Sequence, residues 1–189
     1  MRIKNTRAKQ RIFIIKTVTR WLLYFLLIFL SFIYMTSGTW RKPILFIPIA
    51  LCISMYSGQI SSAFTGAVCG FLIDISSGKL FGYNAVILSF FCIFVSLMFE
   101  LYLRNKFINI MLCSTAVSFI LGWLDYKFYY EIWNYDNVEK IFTDLTIPVW
   151  IYTIISTVFI YLLIRLINYF LMPKEHLSIE EAVRSSIRS

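Results

Sequence analysis

Histidine occurs once in this 189-residue chain, at position 176, and the four cysteines, Cys52, Cys69, Cys92 and Cys113, stand alone with no CxxC spacing. Neither arrangement supplies the clustered ligands of a metal site. Cysteines scattered singly through apolar segments read as small packing residues rather than a disulfide framework. One histidine in a polar tail leaves no imidazole base for a serine or cysteine nucleophile. Walker A, GxSxG and HExxH patterns are missing, as are paired carboxylates on one element. The chain therefore reads as non-enzymatic, with no metal and no cofactor. Acid is scarce as well: 10 Asp and Glu stand against 18 Lys and Arg, a formal charge of +8. The basic residues cluster outside the apolar runs, which points to membrane topology and not to nucleic acid.

Apolar residues are what the chain has in excess. They make up 59% of it, aromatics 19%, and mean hydropathy is +0.74. A soluble domain holds roughly 45 to 50% apolar residues, so this composition reads as an integral membrane protein. Six apolar runs follow the basic start: 21–37, 43–56, 59–75, 85–103, 107–123 and 147–172. The first 20 residues carry Arg2, Lys4, Arg7, Lys9, Arg11, Lys16 and Arg20 and no acid. They resemble the start of a signal peptide, but no small-residue cleavage site follows, so the segment reads as retained and cytoplasmic. Trp21 and Trp40 bracket the first span like interfacial anchors. The second run spans only about 21 Å as a helix, against roughly 30 Å of hydrocarbon, and Pro48 predicts a kink in it.

Six spans place both termini in the cytoplasm. On that count thirteen basic residues lie inside, namely the first seven with Arg104, Lys106, Arg165, Lys174, Arg184 and Arg188. Five lie outside: Arg41, Lys42, Lys79, Lys127 and Lys140. That excess fits the positive-inside rule. The rival is five spans, with residues 43–75 forming one broken or re-entrant element and the C-terminus outside. Glu100 reads as the partner of Arg104 at i, i+4. Residues 125–144 hold five acids, two lysines and seven aromatics, which predicts an interfacial loop or a short helix on the membrane surface. In the tail, Ser178 and Glu181 form a capping box, with Ile179, Val183 and Ile187 on one face, so residues 173–189 read as a cytoplasmic tail with a short amphipathic helix.

The most informative stretch is the third run. Gly58, Ser62, Gly66, Gly70, Asp74 and Gly78 recur at every fourth residue, a nearly bare helix face ending in a carboxylate. In lipid, small residues let helix backbones approach closely, and Gly66 with Gly70 is a GxxxG pair of that kind. Gly78, Gly82 and Asn84 suit positive φ and predict a tight, defined turn. Asp74 is placed to order that turn by accepting backbone N–H bonds. Asp74, Asp125 and Asp144 fall near the outer face without forming one designed cation site. Paired broken helices of a secondary transporter and the polar pore rings of a channel are both missing.

The pattern Ser62, Gly66, Gly70, Asp74, Gly78, Gly82 and Asn84, leading into an apolar fourth span, resembles the rod-shape-determining membrane protein family MreD. The likeness extends over roughly residues 20–172, together with the basic start and the short proline-bearing segment. The resemblance implies a non-enzymatic membrane component of the bacterial elongation machinery. Its partners would be MreC and, indirectly, the actin-like MreB, the glycosyltransferase RodA and a peptidoglycan transpeptidase. It also implies a compact bundle of six transmembrane helices, similar to the substrate-binding subunits of energy-coupling-factor vitamin transporters. A vitamin-binding subunit of that kind is accordingly the alternative function. Scattered Ser and Thr within the spans, rather than clustered polar ligand holders, favour the scaffold.

Overall fold

The computed structural model describes residues 2–37, 42–78, 80–101, 106–131 and 142–171, and every regular element among them is helical. The tail at 173–189, with its capping box, and Arg104 as partner of Glu100 lie outside the described residues.

No glycine or proline interrupts residues 2–36, and they form one helix, α1 (Arg2–Thr36). The basic start is thus helical through residues 20 and 21, and the apolar part able to cross a membrane is Ile14–Thr36. Four further helices are long and apolar enough to cross: α3 (Gln59–Ser77), α4 (Tyr83–Leu101), α5 (Lys106–Tyr126) and α6 (Ile147–Leu171). A π-helical turn, Lys127–Glu131, extends α5, and another, Phe142–Thr146, leads into α6. The described parts of the aromatic segment thus continue the helices instead of forming a separate surface element. Pro148 sits in the first turn of α6, where its missing N–H has no helical acceptor to lose.

The remaining helix, α2 (Phe46–Ser54), has nine residues, all buried. At about 13.5 Å it cannot cross the hydrocarbon by itself. Pro48 falls at its third position, within the first turn, so it starts this helix rather than kinking it. Both ends of α2 are tied to neighbours. Before it, the Ile44 N–H donates to Thr153 Oγ1 at 3.1 Å, about two turns into α6. After it, the Ser57 carbonyl accepts from Ser96 Oγ at 2.9 Å, near the far end of α4. Lys42 Nζ donates to the Tyr34 carbonyl at 2.8 Å, tying the entry to α2 to the end of α1.

The described residues between 26 and 164 form one compact unit. Its core is aliphatic, with Ile47, Ile49, Leu51 and Ile53 of α2 packed with Leu88 and Val95 of α4 and Ile110 of α5, all at most 1% exposed. Hydroxyls lie inside as well: Ser54, Ser62, Thr65, Ser96, Ser114 and Thr157 are buried, while Phe64, Phe90, Phe94, Leu112 and Phe159 are more than half exposed. A soluble protein reverses that order. Lipid tails accept the bulky apolar surface, and helices in lipid associate through small and hydrogen-bonding residues. The described residues 2–25 and 165–171 belong to a second compact unit. Within it the Tyr24 hydroxyl donates to Asn168 Oδ1 at 2.8 Å, and both side chains are buried.

Candidate functional site

α3 brings Ser62, Gly66, Gly70 and Asp74 onto one buried face. A methyl group built on Gly66 would lie 2.7 Å from Ser89 Cα, and one on Gly70 would lie 2.3 Å from Ala85 Cα and 2.5 Å from its nitrogen. Those atoms are α4 backbone and cannot move aside like a side-chain tip. The two helices therefore meet backbone to backbone, and only glycine permits the approach at these two positions. At the start of α3, Ser62 Oγ donates to the Gly58 carbonyl at 3.0 Å. Gly58 itself has nothing within 4 Å of a built methyl group. It is the residue before the first turn of α3, in extended conformation, and has no part in the close contact.

At the other end the same face terminates in Asp74, 1% exposed. Its Oδ2 accepts the Gly82 N–H at 2.8 Å, and its Oδ1 accepts the Asn84 side-chain amide at 2.8 Å and the Asn84 N–H at 3.3 Å. A carboxylate in an apolar span is costly unless its oxygens are satisfied, and here donors from the next helix satisfy both. The arrangement is an N-cap supplied from another helix, since Gly82 and Asn84 stand at the first turn of α4 and the negative charge lies at its positive dipole end.

The turn between the two helices is held from several directions. Gly78 closes α3 in the left-handed conformation, φ 61°, with its N–H turned back to the Asp74 and Ile75 carbonyls. Gly82 follows at φ 95°. Asn84, in contrast to the expectation of positive φ, is part of α4 and contributes its two N–H donors instead. From outside the hairpin, the Tyr129 hydroxyl accepts the Leu80 N–H at 2.8 Å. Stacked Phe71 and Phe81, with centroids 4.8 Å apart, and stacked Tyr83 and Phe128, 5.2 Å apart, cover the turn.

Polar ties of another kind join α5 to α6. Ser114 and Thr157 share a hydrogen bond of 3.0 Å, and Trp150 Nε1 donates to the Thr115 carbonyl at 3.1 Å. Composition alone did not distinguish these from scattered span hydroxyls. A usable signal was present, because Ser114, Ser118 and Gly122 repeat the every-fourth spacing of α3. Asp125 lies at the end of that stripe on a cavity wall, apart from the Asp74 cap contacts, and the Asp144 side chain lies outside the described residues.

Among the described residues no three His, Cys, Asp or Glu side chains stand together as metal ligands. Cys52, Cys69 and Cys92 are buried free thiols and Cys113 is partly buried. The contacts around α3 do structural work: they lock a helical hairpin and fix the shape of its turn. Five apolar helices, a lipid-compatible exterior and a hydroxyl-lined interior define an all-α, multi-pass membrane protein. Compared with protein-family models, curated proteins and solved structures, the chain matches none.

Proposed function

We propose that this protein is a non-enzymatic component of a bacterial cell-elongation complex, an MreD-like membrane scaffold. In this role it helps organise lateral peptidoglycan synthesis through contact with MreC and, indirectly, with MreB, RodA and a transpeptidase. The observation that carries the reading is that the residues of the resemblance act together in space. Gly66, Gly70, Asp74, Gly78, Gly82 and Asn84 build one locked hairpin, where a chance repetition of small residues would leave the acid unused.

In the same proposal the chain crosses the cytoplasmic membrane six times with both termini inside. The buried α2 segment supports this count: it enters beside Thr153, near the start of α6, and leaves beside Ser96, near the end of α4. The basic-residue excess supports the same orientation. Fusion of a cytoplasm-active fluorescent protein to Ser189 should fluoresce, whereas a periplasm-active phosphatase there should stay silent. The opposite pair of results would mean five crossings.

Expression in a rod-shaped bacterium depleted of its own MreD tests the function. Restored rods and recovery of MreC with the tagged chain are expected; spheres despite normal membrane levels of the protein would defeat the scaffold reading. A cavity between α5 and α6 favours one second reading, a solute-binding subunit of an energy-coupling-factor transporter. Such a subunit should co-purify with ATPase partners and not with MreC.

A further inference from the structure

Three cations flank the place where α1 and α6 are bonded. Arg20 stands four residues before Tyr24 on α1, and Arg165 three before Asn168 on α6, so each is within about 6 Å along its helix of the buried Tyr24–Asn168 bond. Lys16 lies one turn before Arg20, and like charges at i, i+4 repel on a helix unless an anion is set beside them. The chain supplies no such anion here. Neither α1 nor α6 contains an Asp or Glu, so the described residues of this compact unit hold no acid at all.

The level of these cations in the membrane is marked on both helices. Trp21 adjoins Arg20 and packs edge to face on Tyr24, centroids 5.8 Å apart, and Tyr169, 82% exposed, follows Asn168. Trp and Tyr gather where the hydrocarbon meets the headgroups. Arg165 is exposed, beside exposed Leu166 and one turn before Tyr169, on a face that meets lipid. A charge on such a face reaches back along its alkyl stem to the headgroups, here toward the end of α6 six residues on. Arg20 is partly buried, and its Nε is enclosed with no hydrogen-bond partner among the described residues. Packing thus holds the base of that guanidinium, whose planar fork suits a phosphate.

We infer that Lys16, Arg20 and Arg165 hold the phosphate of one anionic phospholipid. The phosphate oxygens would accept from the two guanidinium groups and lie beside the Lys16 ammonium, while the acyl chains would follow the exposed apolar faces that include Leu22 and Leu166. The positive-inside rule accounts for cations beyond a span but not for Arg165, which stands within the apolar helix that crosses. An ionisable residue at such a place calls for a partner, and basic groups between helices at the membrane surface suit lipid phosphates. The inference goes beyond both functional readings and needs only that α1 and α6 lie in lipid.

The test uses the full chain in nanodiscs of phosphatidylcholine with a minor share of phosphatidylglycerol, at about 1 M salt, where attraction between exposed charges is screened beyond roughly 3 Å. Native mass spectrometry counts the lipids that leave the disc with the protein. One phosphatidylglycerol per chain, saturating as its share rises, is expected. Arg20→Gln and Arg165→Gln should each raise the share needed for half-saturation about tenfold, the size of one lost hydrogen bond to a charged group. The double variant Arg2→Gln/Lys4→Gln removes twice the charge from the far start of α1 and should shift it less than about twofold. Thermal unfolding verifies that each variant is folded, and because Arg165 is exposed, Arg165→Gln keeps the test decisive should Arg20→Gln misfold. Phosphatidylglycerol bound in no fixed number, equal shifts from Arg165→Gln and the distant double variant, or displacement by free glycerol 3-phosphate, which would make a soluble phosphate the ligand, overturn the inference. Rod-shape complementation is a separate readout, so either conclusion can fail alone.

Discussion

α3 and α5 carry nearly the same stripe and use it in opposite ways. On α3, Ser62, Gly66 and Gly70 lead to Asp74; on α5, Ser114, Ser118 and Gly122 lead to Asp125. The first stripe closes against α4 until a single methyl group would strike backbone, whereas a methyl group on Gly122 would meet only the Thr146 methyl at 3.3 Å. The second stripe borders a cavity. Spacing of the acid is part of the reason. Asp74 follows its glycine by four residues and Asp125 by three, and one residue turns a helical side chain by about 100°. Asp74 comes round to the N–H groups of the next helix, and its bonds draw the two helices together. Asp125 comes round to a cavity wall. A further cause is the partner: Ala85 and Ser89 are small, while α6 presents Trp150. Small residues permit close approach, but the opposite surface decides whether it happens.

Substitutions can break or sharpen this contrast. The largest effect is expected from Gly70→Leu, which must push α4 backbone aside; a loss of about 3 kcal/mol or more, seen as failure to accumulate or as early thermal unfolding, follows from overpacking. Gly70→Ala should remain clearly destabilising, whereas Gly122→Ala should cost under about 1 kcal/mol, since a methyl group can yield. Equal losses at the two positions would erase the distinction between closed and open stripes.

Next in size is Asp74→Ala, which orphans three N–H donors and should cost about 3 kcal/mol. Asp74→Asn keeps one acceptor oxygen and should lose roughly half as much. If Asp74→Asn were as stable as wild type yet failed in complementation, the carboxylate would have a role beyond the cap. A double-mutant cycle on Ser114→Ala and Thr157→Val should give a coupling of about 0.6 kcal/mol, the average for hydrogen bonds between membrane helices. Smallest of all, Ser118→Ala should change stability by less than about 0.5 kcal/mol, because its hydroxyl bonds nothing.

Much of this fold was legible in one dimension. Apolar run lengths located α3, α4, α5 and α6 and the end of α1 to within a few residues, and the fourfold recurrence from Ser62 to Asp74 located the α3 face that meets α4. Three features escaped. The basic start is part of α1, because charge does not break a helix and nothing else there does. Pro48 begins α2 instead of bending it, since the position of a proline within a helix is known only once the helix start is known. Asn84 belongs to α4, because its bonds to Asp74 outweighed its taste for a turn. The Ser114, Ser118, Gly122 stripe could have been noticed by its spacing, but its use could not, since hydroxyls on a span look alike until their partners are placed.

By itself the sequence determined that the chain lies in lipid, that its elements are helices and that α3 has a face bare enough to touch a neighbour. Those properties follow from hydrophobicity, backbone hydrogen bonding and spacing, which are local. Tertiary structure alone decided which neighbour closes on that face, which carboxylate becomes a cap and which stripe borders a cavity. Each of these depends on atoms distant in the chain meeting within about 3 Å, the range over which a hydrogen bond or a steric clash acts.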